Sequence, residues 1–392
     1  MQFFRDMSPS ALAAGLVAAL VGFTSSAAII FQAARAFGAN DAMVSSWVWA
    51  IGWGAGLCTV VPSLWTRKPV MVAWSTPGAA VLALAGNGHS MGDAVGAFMV
   101  SAALIVLFGV TGWFEKAMAR IPVGIAAALL AGVLAKFGMQ AFAAAGTSVV
   151  LVATMLLVYL LARRWVPRYA VLASLAAGVG LVLIRGEIAP QASIPLVMTT
   201  PVWVPPAFSW ATVVGMALPL FVVTMASQNL PGVVAIRAAG YRLPVSRIIS
   251  LSGLATLVLA PFGAFALNLS AITAAICMGP ESHLDPARRY VSAVVCGLLY
   301  CLLGLAGATV VALLAAFPAA LVSCIAGLAL LGTIGSGLAT LVDDAEHREA
   351  AVITFVVTLS GVSIAGVGSA FWGVVAGTVA LFVQKYRLHA RA

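Results

Sequence analysis

The sequence predicts an all-α polytopic membrane protein, and three observations carry that reading. Hydrophobic residues make up 63% of the 392 and charged residues 8%, with a mean hydropathy of +1.11, whereas a soluble domain carries about 25% charged residues. Apolar runs recur from Ala11 to Val383, each near the roughly 20 residues a spanning helix needs. The basic residues, finally, gather at alternate ends of those runs.

Taken in order, the runs read as about fourteen spans, at 11–34, 43–62, 69–86, 92–112, 121–141, 147–162, 169–184, 211–236, 246–262, 263–279, 290–312, 317–340, 350–365 and 369–384. Of the 20 Lys and Arg, only Arg35, Lys136 and Arg185 fall on one side of the alternation. The positive-inside rule makes the other side cytoplasmic, with both termini there. The net charge of +9 is then a topology signal and not a patch for nucleic acid. The five cysteines (Cys58, Cys277, Cys296, Cys301, Cys324) all lie inside apolar runs without ligand spacing, as small packing residues do.

The stretch from Arg185 to Trp210 contains Pro190, Pro195, Pro201, Pro205 and Pro206, and it divides seven spans from seven. The halves look related. SSAAIIFQAARAFG (25–38) aligns without a gap on SQNLPGVVAIRAAG (227–240), and IPVGIAAALLAG (121–132) resembles FPAALVSCIAG (317–327). Seven is odd, so the second copy enters the membrane from the opposite face. That is a 7+7 inverted repeat, a plan in which binding sites lie at interrupted helices near the midplane.

Two such interruptions sit at matching places. In the third span, Ser75, Thr76, Pro77 and Gly78 break an apolar run, and Ser/Thr followed by Pro is a helix-start signal. In the tenth, FALNLSAITAAICMG (265–279) places Asn268, Ser270 and Thr273 at mid-depth. The expectation is extended backbone over 70–76 and 262–269. A half-helix follows each, capped by Ser75 or Thr76 and by Asn268 or Ser270. Each half-helix start presents unpaired N–H groups and partial positive charge. A third polar cluster is ASQNLPG (226–232), with Gln228 and Asn229, opposite GFTSSA (22–27), with Phe23, Thr24 and Ser25. Trp74, Phe265 and Phe23 are the aromatic residues nearest by sequence. Gly373 and Gly377 form a GxxxG that reads as ordinary helix packing.

All eleven acidic residues and four histidines lie at loops or span ends. The absence of intramembrane carboxylates disfavours metal or polyamine transport. It suits an anion, which helix N-termini and hydroxyls can hold without a buried cation. No HExxH, Walker loop or nucleophile elbow occurs, and AGNGHSMG (85–92) has the wrong glycine spacing for a dinucleotide loop. The sequence therefore predicts no enzyme, no cofactor and no metal site.

WSTPGAA (74–80), ASQNLPGVVAIRAAGYR (226–242) and FGAFALNLSAITAAICMGPESHLDPARRY (262–290) resemble the benzoate/proton symporter family, the BenE-type carriers of bacterial inner membranes. The likeness runs nearly end to end. It implies the fourteen-span, uracil-symporter-like fold of seven plus seven inverted segments. Residues 1–116 and 205–314 would then form a core domain (spans 1–4 and 8–11), with 117–204 and 315–392 as a gate (spans 5–7 and 12–14). It also implies an aromatic carboxylate and protons as what is moved, with substrate between the third and tenth spans beside the eighth. Nucleobase carriers of that fold place a carboxylate on the eighth span, where this chain has Gln228 and Asn229. A proton symporter of the same fold for nucleobases or other heterocycles, a passive anion channel and a structural membrane protein are the alternatives, and a homodimer is left open.

Overall fold

Inside lipid every backbone N–H and C=O must find a partner in the protein, which makes helices the default. The computed structural model, which describes all residues except 1, 25, 86–88, 119–121, 167–168, 188–197, 308, 310–316, 363, 365–368 and 390–392, is helical with two short strands. Its first half runs α1 (Gln2–Asp6), α2 (Pro9–Thr24), α3 (Ala27–Ala36), α4 (Asp41–Thr66), β1 (Val72–Trp74), α5 (Thr76–Ala85), α6 (Met91–Thr111), α7 (Trp113–Met118), α8 (Val123–Ala143), α9 (Ala145–Trp165) and α10 (Ala170–Arg185). The second half runs α11 (Trp210–Thr212), α12 (Leu218–Thr224), α13 (Leu230–Ala238), α14 (Val245–Leu259), β2 (Leu267–Leu269), α15 (Ala271–Met278), α16 (Tyr290–Leu305), α17 (Ala319–Asp343), α18 (Arg348–Ser360) and α19 (Ser369–His389). Among the described residues six helices are long and apolar enough to cross a membrane, and several shorter apolar helices accompany them.

The departures from plain spans have local causes. The run 11–34 is not one helix but α2 and α3. The run 211–236 is threaded by two π-helical turns, Val213–Ala217 and Met225–Asn229. Each precedes a proline, Pro219 or Pro231, in the first turn of the next segment. Proline lacks an N–H and collides with the carbonyl four residues back, and a widened turn relieves both. In the run 263–279 only 267–269 is a strand. Residues Ala260–Phe262 form a 3₁₀ turn closed by Gly263 N–H on the Ala260 carbonyl (2.8 Å), so Phe262 is not extended as expected.

Helices meet through small residues. A methyl on Gly52 would come within 2.7 Å of the Tyr300 carbonyl oxygen, and one on Gly297 within 2.9 Å of that of Gly56, so α4 and α16 approach backbone to backbone. Gly373 and Gly377 lie against Thr358 and Thr354 of α18, so this GxxxG packs within the chain.

The two strands pair antiparallel, Val72 opposite Leu269, Ala73 opposite Asn268 and Trp74 opposite Leu267. Their outer edges are filled by side chains of the flanking helices. Thr59 Oγ1 accepts from Val72 N–H (3.0 Å) and donates to the Val72 carbonyl (3.1 Å). Ser63 does the same for Val70. On the other strand Thr256 Oγ1 accepts from Leu267 N–H (3.1 Å). Thr59→Val orphans two buried backbone groups, at roughly 1–3 kcal/mol each. Unfolding in detergent is therefore expected to show a loss of about 2–6 kcal/mol, and Thr256→Val about half of that. Wild-type stability in Thr59→Val would show that the strand edge is held some other way.

Candidate functional site

The site is built where the two strands hand over to their helices. Ser75 N–H donates to the Ala266 carbonyl (3.1 Å), and Ser270 N–H to the Met71 carbonyl (3.0 Å), so each strand's last ladder bond is made by the residue that caps the next helix. Ser75, not Thr76, caps α5: its Oγ accepts from Gly78 N–H at 2.9 Å. Ser270, not Asn268, caps α15, and its Oγ accepts from Thr273 N–H at 3.4 Å. Four residues of strand separate Ser270 from Ala266, the neighbour of Ser75, or roughly 13 Å at 3.3 Å per residue. A small carboxylate therefore reaches one helix start and not both.

The two starts differ. Pro77 has no N–H and Gly78 N–H is used, which leaves α5 one first-turn donor, Thr76 N–H, without a partner among the described residues. In α15, Ala271 and Ile272 N–H have no partner among the described residues, and the Thr273 bond is long. A cavity of about 610 Å³ reaches Ala275 of α15. That is four residues, about 6 Å, from Ala271. The cavity lies between α13 and α15 on one side and α8 and α17 on the other. It opens on the face that carries Arg163, Arg237 and Arg289.

The amides of the π-helical turn divide their work. Asn229 is fully buried, its Oδ1 accepting from Leu269 N–H (2.9 Å) and its Nδ2 donating to Met225 Sδ (3.2 Å). It holds the edge of β2. Gln228 is half-buried and carries no hydrogen bond to a described residue. Gly232, one turn on, lies against β2 so closely that a methyl there would meet Leu269 Cβ at 2.6 Å.

Asn268 is also fully buried. Its Nδ2 donates to the Ala266 carbonyl (2.7 Å), while its Oδ1 has no partner among the described residues. The same Ala266 carbonyl accepts from Ser75, and Ala266 has φ +43°, a left-handed conformation that costs a non-glycine residue about 1 kcal/mol or more. These two bonds hold it there. Thr76 and Pro77 are half-buried at the start of α5, and Gly78 is buried against Leu220 and Ser75.

The aromatic residues part company. Phe23 stands edge-on to Trp74, ring centroids 5.8 Å apart, beside the site. Phe265 is fully buried between Trp47 (5.6 Å) and Phe98 (5.8 Å) in a separate cluster. Ser25 and the Thr24 side chain lie outside the described residues. Ser26, not singled out from the sequence, accepts from Trp74 Nε1 at 2.7 Å. Tyr300, behind Trp74 at 5.2 Å, was equally unmarked, since a tyrosine within an apolar helix looks like packing. Its hydroxyl and the Thr273 methyl both lie against Gly22.

Helices interrupted within an apolar helical domain are a feature of many secondary transporters. The transmembrane domain of a cyanobacterium bicarbonate transporter, BicA, matches at a TM-score of 0.50 over 96% of this chain and 98% of its own length, at 14% identity, a likeness of fold alone. The chain belongs to the benzoate membrane transport protein (BenE) family, whose model matches residues 5–383. It is thus a membrane transporter and not an enzyme. The inner membrane protein YdcO of Escherichia coli K12 is 46% identical over 96% of both chains. The benzoate membrane transport protein of Acinetobacter baylyi is 38% identical over 97% of this chain and 96% of its own.

Asn229→Ala leaves Leu269 N–H unsatisfied and is expected to lower stability by about 1–3 kcal/mol. Gln228→Ala, which breaks no bond, should stay within about 0.5 kcal/mol of wild type. Thermal unfolding of both variants in one detergent checks the contrast, and equal losses would contradict it.

Proposed function

We propose that the chain is a secondary transporter that imports benzoate or a close aromatic carboxylate with protons, by alternating access across a bacterial inner membrane. The observation that carries this reading is the start of α15. Two uncommitted N–H groups and the Ser270 hydroxyl stand about 6 Å along α15 from Ala275, the first residue of that helix to line an open cavity, with no acidic side chain mid-span to repel an anion. Three hydrogen bonds to a carboxylate contribute roughly 5–9 kcal/mol, enough to offset a desolvation penalty of several kcal/mol. Membership of the benzoate family and the name of the Acinetobacter relative support the substrate class. In this reading Ser270 and the α15 N-terminus take the carboxylate, and Gln228 and Phe23 border the ring. Ser75, Pro77, Gly78, Asn229 and Asn268 hold the two helix starts in place.

We further take the fourteen spans to be a 7+7 inverted repeat with both termini cytoplasmic, the core being 1–116 and 205–314 and the gate 117–204 and 315–392. The symmetry of support around the strands favours it. Thr59 on α4 serves β1 as Thr256 on α14 serves β2. The pairing of α4 with α16 is matched by that of α14 with α6, where a methyl on Gly253 would meet Val106 at 2.9 Å. In this topology the cavity faces the cytoplasm. A nucleobase carrier is the second reading, favoured by one observation: the partnerless Asn268 Oδ1 would suit a ring N–H.

Proteoliposome uptake with and without an imposed proton gradient tests the whole. Benzoate is expected to accumulate against its gradient and to be displaced by aromatic acids far better than by benzamide or uracil. Ser270→Asp places a negative charge where the substrate carboxylate belongs and also caps the helix itself. It should fold, keep its thermal stability and fail to bind benzoate by calorimetry. Normal benzoate binding by folded Ser270→Asp would place the carboxylate elsewhere. Gln228→Ala should weaken benzoate binding without loss of stability.

A further inference from the structure

The 610 Å³ cavity is larger than the passage of one small anion requires, and its charge is concentrated toward the helix ends. Its deeper wall is apolar, with Leu130, Val233, Val234 and Ala275. Its mouth gathers the guanidinium groups of Arg163, Arg237 and Arg289 against the single carboxylate of Glu281. Two of the arginines are fixed by protein acceptors. Arg289 donates Nε to the His283 carbonyl and Nη1 to the Met278 carbonyl, both at 2.7 Å, which seats it on the C-terminal end of α15 beside the Tyr241 hydroxyl. Arg163 lies over the Tyr159 ring at 5.7 Å and bonds its hydroxyl.

The Arg163 Nη1 to Glu281 Oε1 separation is 3.7 Å. That is a charge contact rather than a hydrogen bond. The pair rests on the α17 backbone, since a methyl on Gly332 would lie 3.2 Å from Glu281 Oε1 and 3.8 Å from Arg163 Nη2. Arg163 therefore keeps donors for a better-placed carboxylate, and Glu281 is the internal anion that competes for them. A guanidinium beside an apolar wall is the chemistry that holds a carboxylate by its head and an aromatic ring by its face.

We propose that the mouth of this cavity is a second, weaker site for the transported aromatic carboxylate, with Arg163 and Arg289 as the cationic groups and Glu281 as a built-in competitor. The substrate class rests on the functional reading above. The site holds released substrate at the cytoplasmic face, so rising internal substrate slows further release.

The test is calorimetric titration of benzoate into the purified full-length protein at low and high salt. Wild type should show a tight event and a weak one, and only the weak one should fade with salt. Arg163→Gln should weaken the weak event roughly threefold or more, and Glu281→Gln should strengthen it by about as much, the range of a partly exposed charge pair. Arg163→Lys, which keeps the charge, should retain most of it. An ion pair that only ties the helices together would move both neutral variants in the same direction or in neither, and that result overturns the proposal. Ser270→Asp separates the two readings. Loss of the tight event alone supports both, and loss of every event refutes the second site. Retention of both events refutes the central site, and the opposed responses of the Arg163 and Glu281 variants still decide the mouth.

Discussion

Extended backbone within lipid is tolerable only when every N–H and C=O it exposes is answered, and this structure is organised around meeting that demand twice. Each three-residue strand has one edge on the other strand and one edge bare. The bare edges are met by Thr59, Ser63, Thr256 and Asn229, from three different helices. Remove that support and the strands have no reason to remain extended at this depth, since a continuous helix would satisfy the same groups by itself. The half-helices depend on the strands in turn. Ser75 and Ser270 each make the last ladder bond and the first capping contact, so the place where each helix begins is set by the register of the strand pair.

Much of this was legible in the sequence, for reasons that can be named. Ser75 and Pro77 announce a helix start in any solvent, and polar residues at 268–273 inside an apolar run require an explanation that packing alone rarely supplies. The strand pairing was not legible, because the partners Val72 and Leu269, Ala73 and Asn268, and Trp74 and Leu267 are far apart in the chain and share no pattern beyond hydrophobicity. Asn229 and Gln228 were indistinguishable as neighbouring amides. Only the π-helical turn before Pro231 decides that one reaches Leu269 while the other stays uncommitted. Phe265 looked equivalent to Phe23, yet it is packed with Trp47 and Phe98.

The two helix starts are alike in the sequence and unequal as donors. Proline favours the first turn of a helix because its N–H would be unpaired there, and for that reason it subtracts a donor from an anion site. In α5 that loss combines with a short Ser75 cap, and only the Thr76 N–H remains to offer a ligand. In α15 no proline intervenes and the Ser270 cap is loose. The asymmetry matters because roughly 13 Å of strand separates the caps, so a small anion must choose. The proposed substrate site follows from that choice, with α5 bracing the strand pair from the other end.

Charge placement completes the logic. Lys136 lies within α8, yet its ammonium donates to Ser369 Oγ (3.0 Å), which donates to the Thr358 carbonyl (2.7 Å). A methyl on Gly361, the residue that ends α18, would stand 3.1 Å from it. This cation answers the partial negative charge at a helix C-terminus, as Arg289 does at the end of α15. Neither is spent on neutralising a buried carboxylate, because the spans supply none at mid-depth. A substrate anion at the start of α15 therefore meets only backbone and hydroxyl donors, whose partial charges bind it without the full Coulombic hold of a buried guanidinium. A carrier must also let go. The proposed sites place backbone and hydroxyl donors at the start of α15 and partly exposed, solvent-screened cations at the cavity mouth, so a released carboxylate passes from a tighter site to a weaker one on its way out.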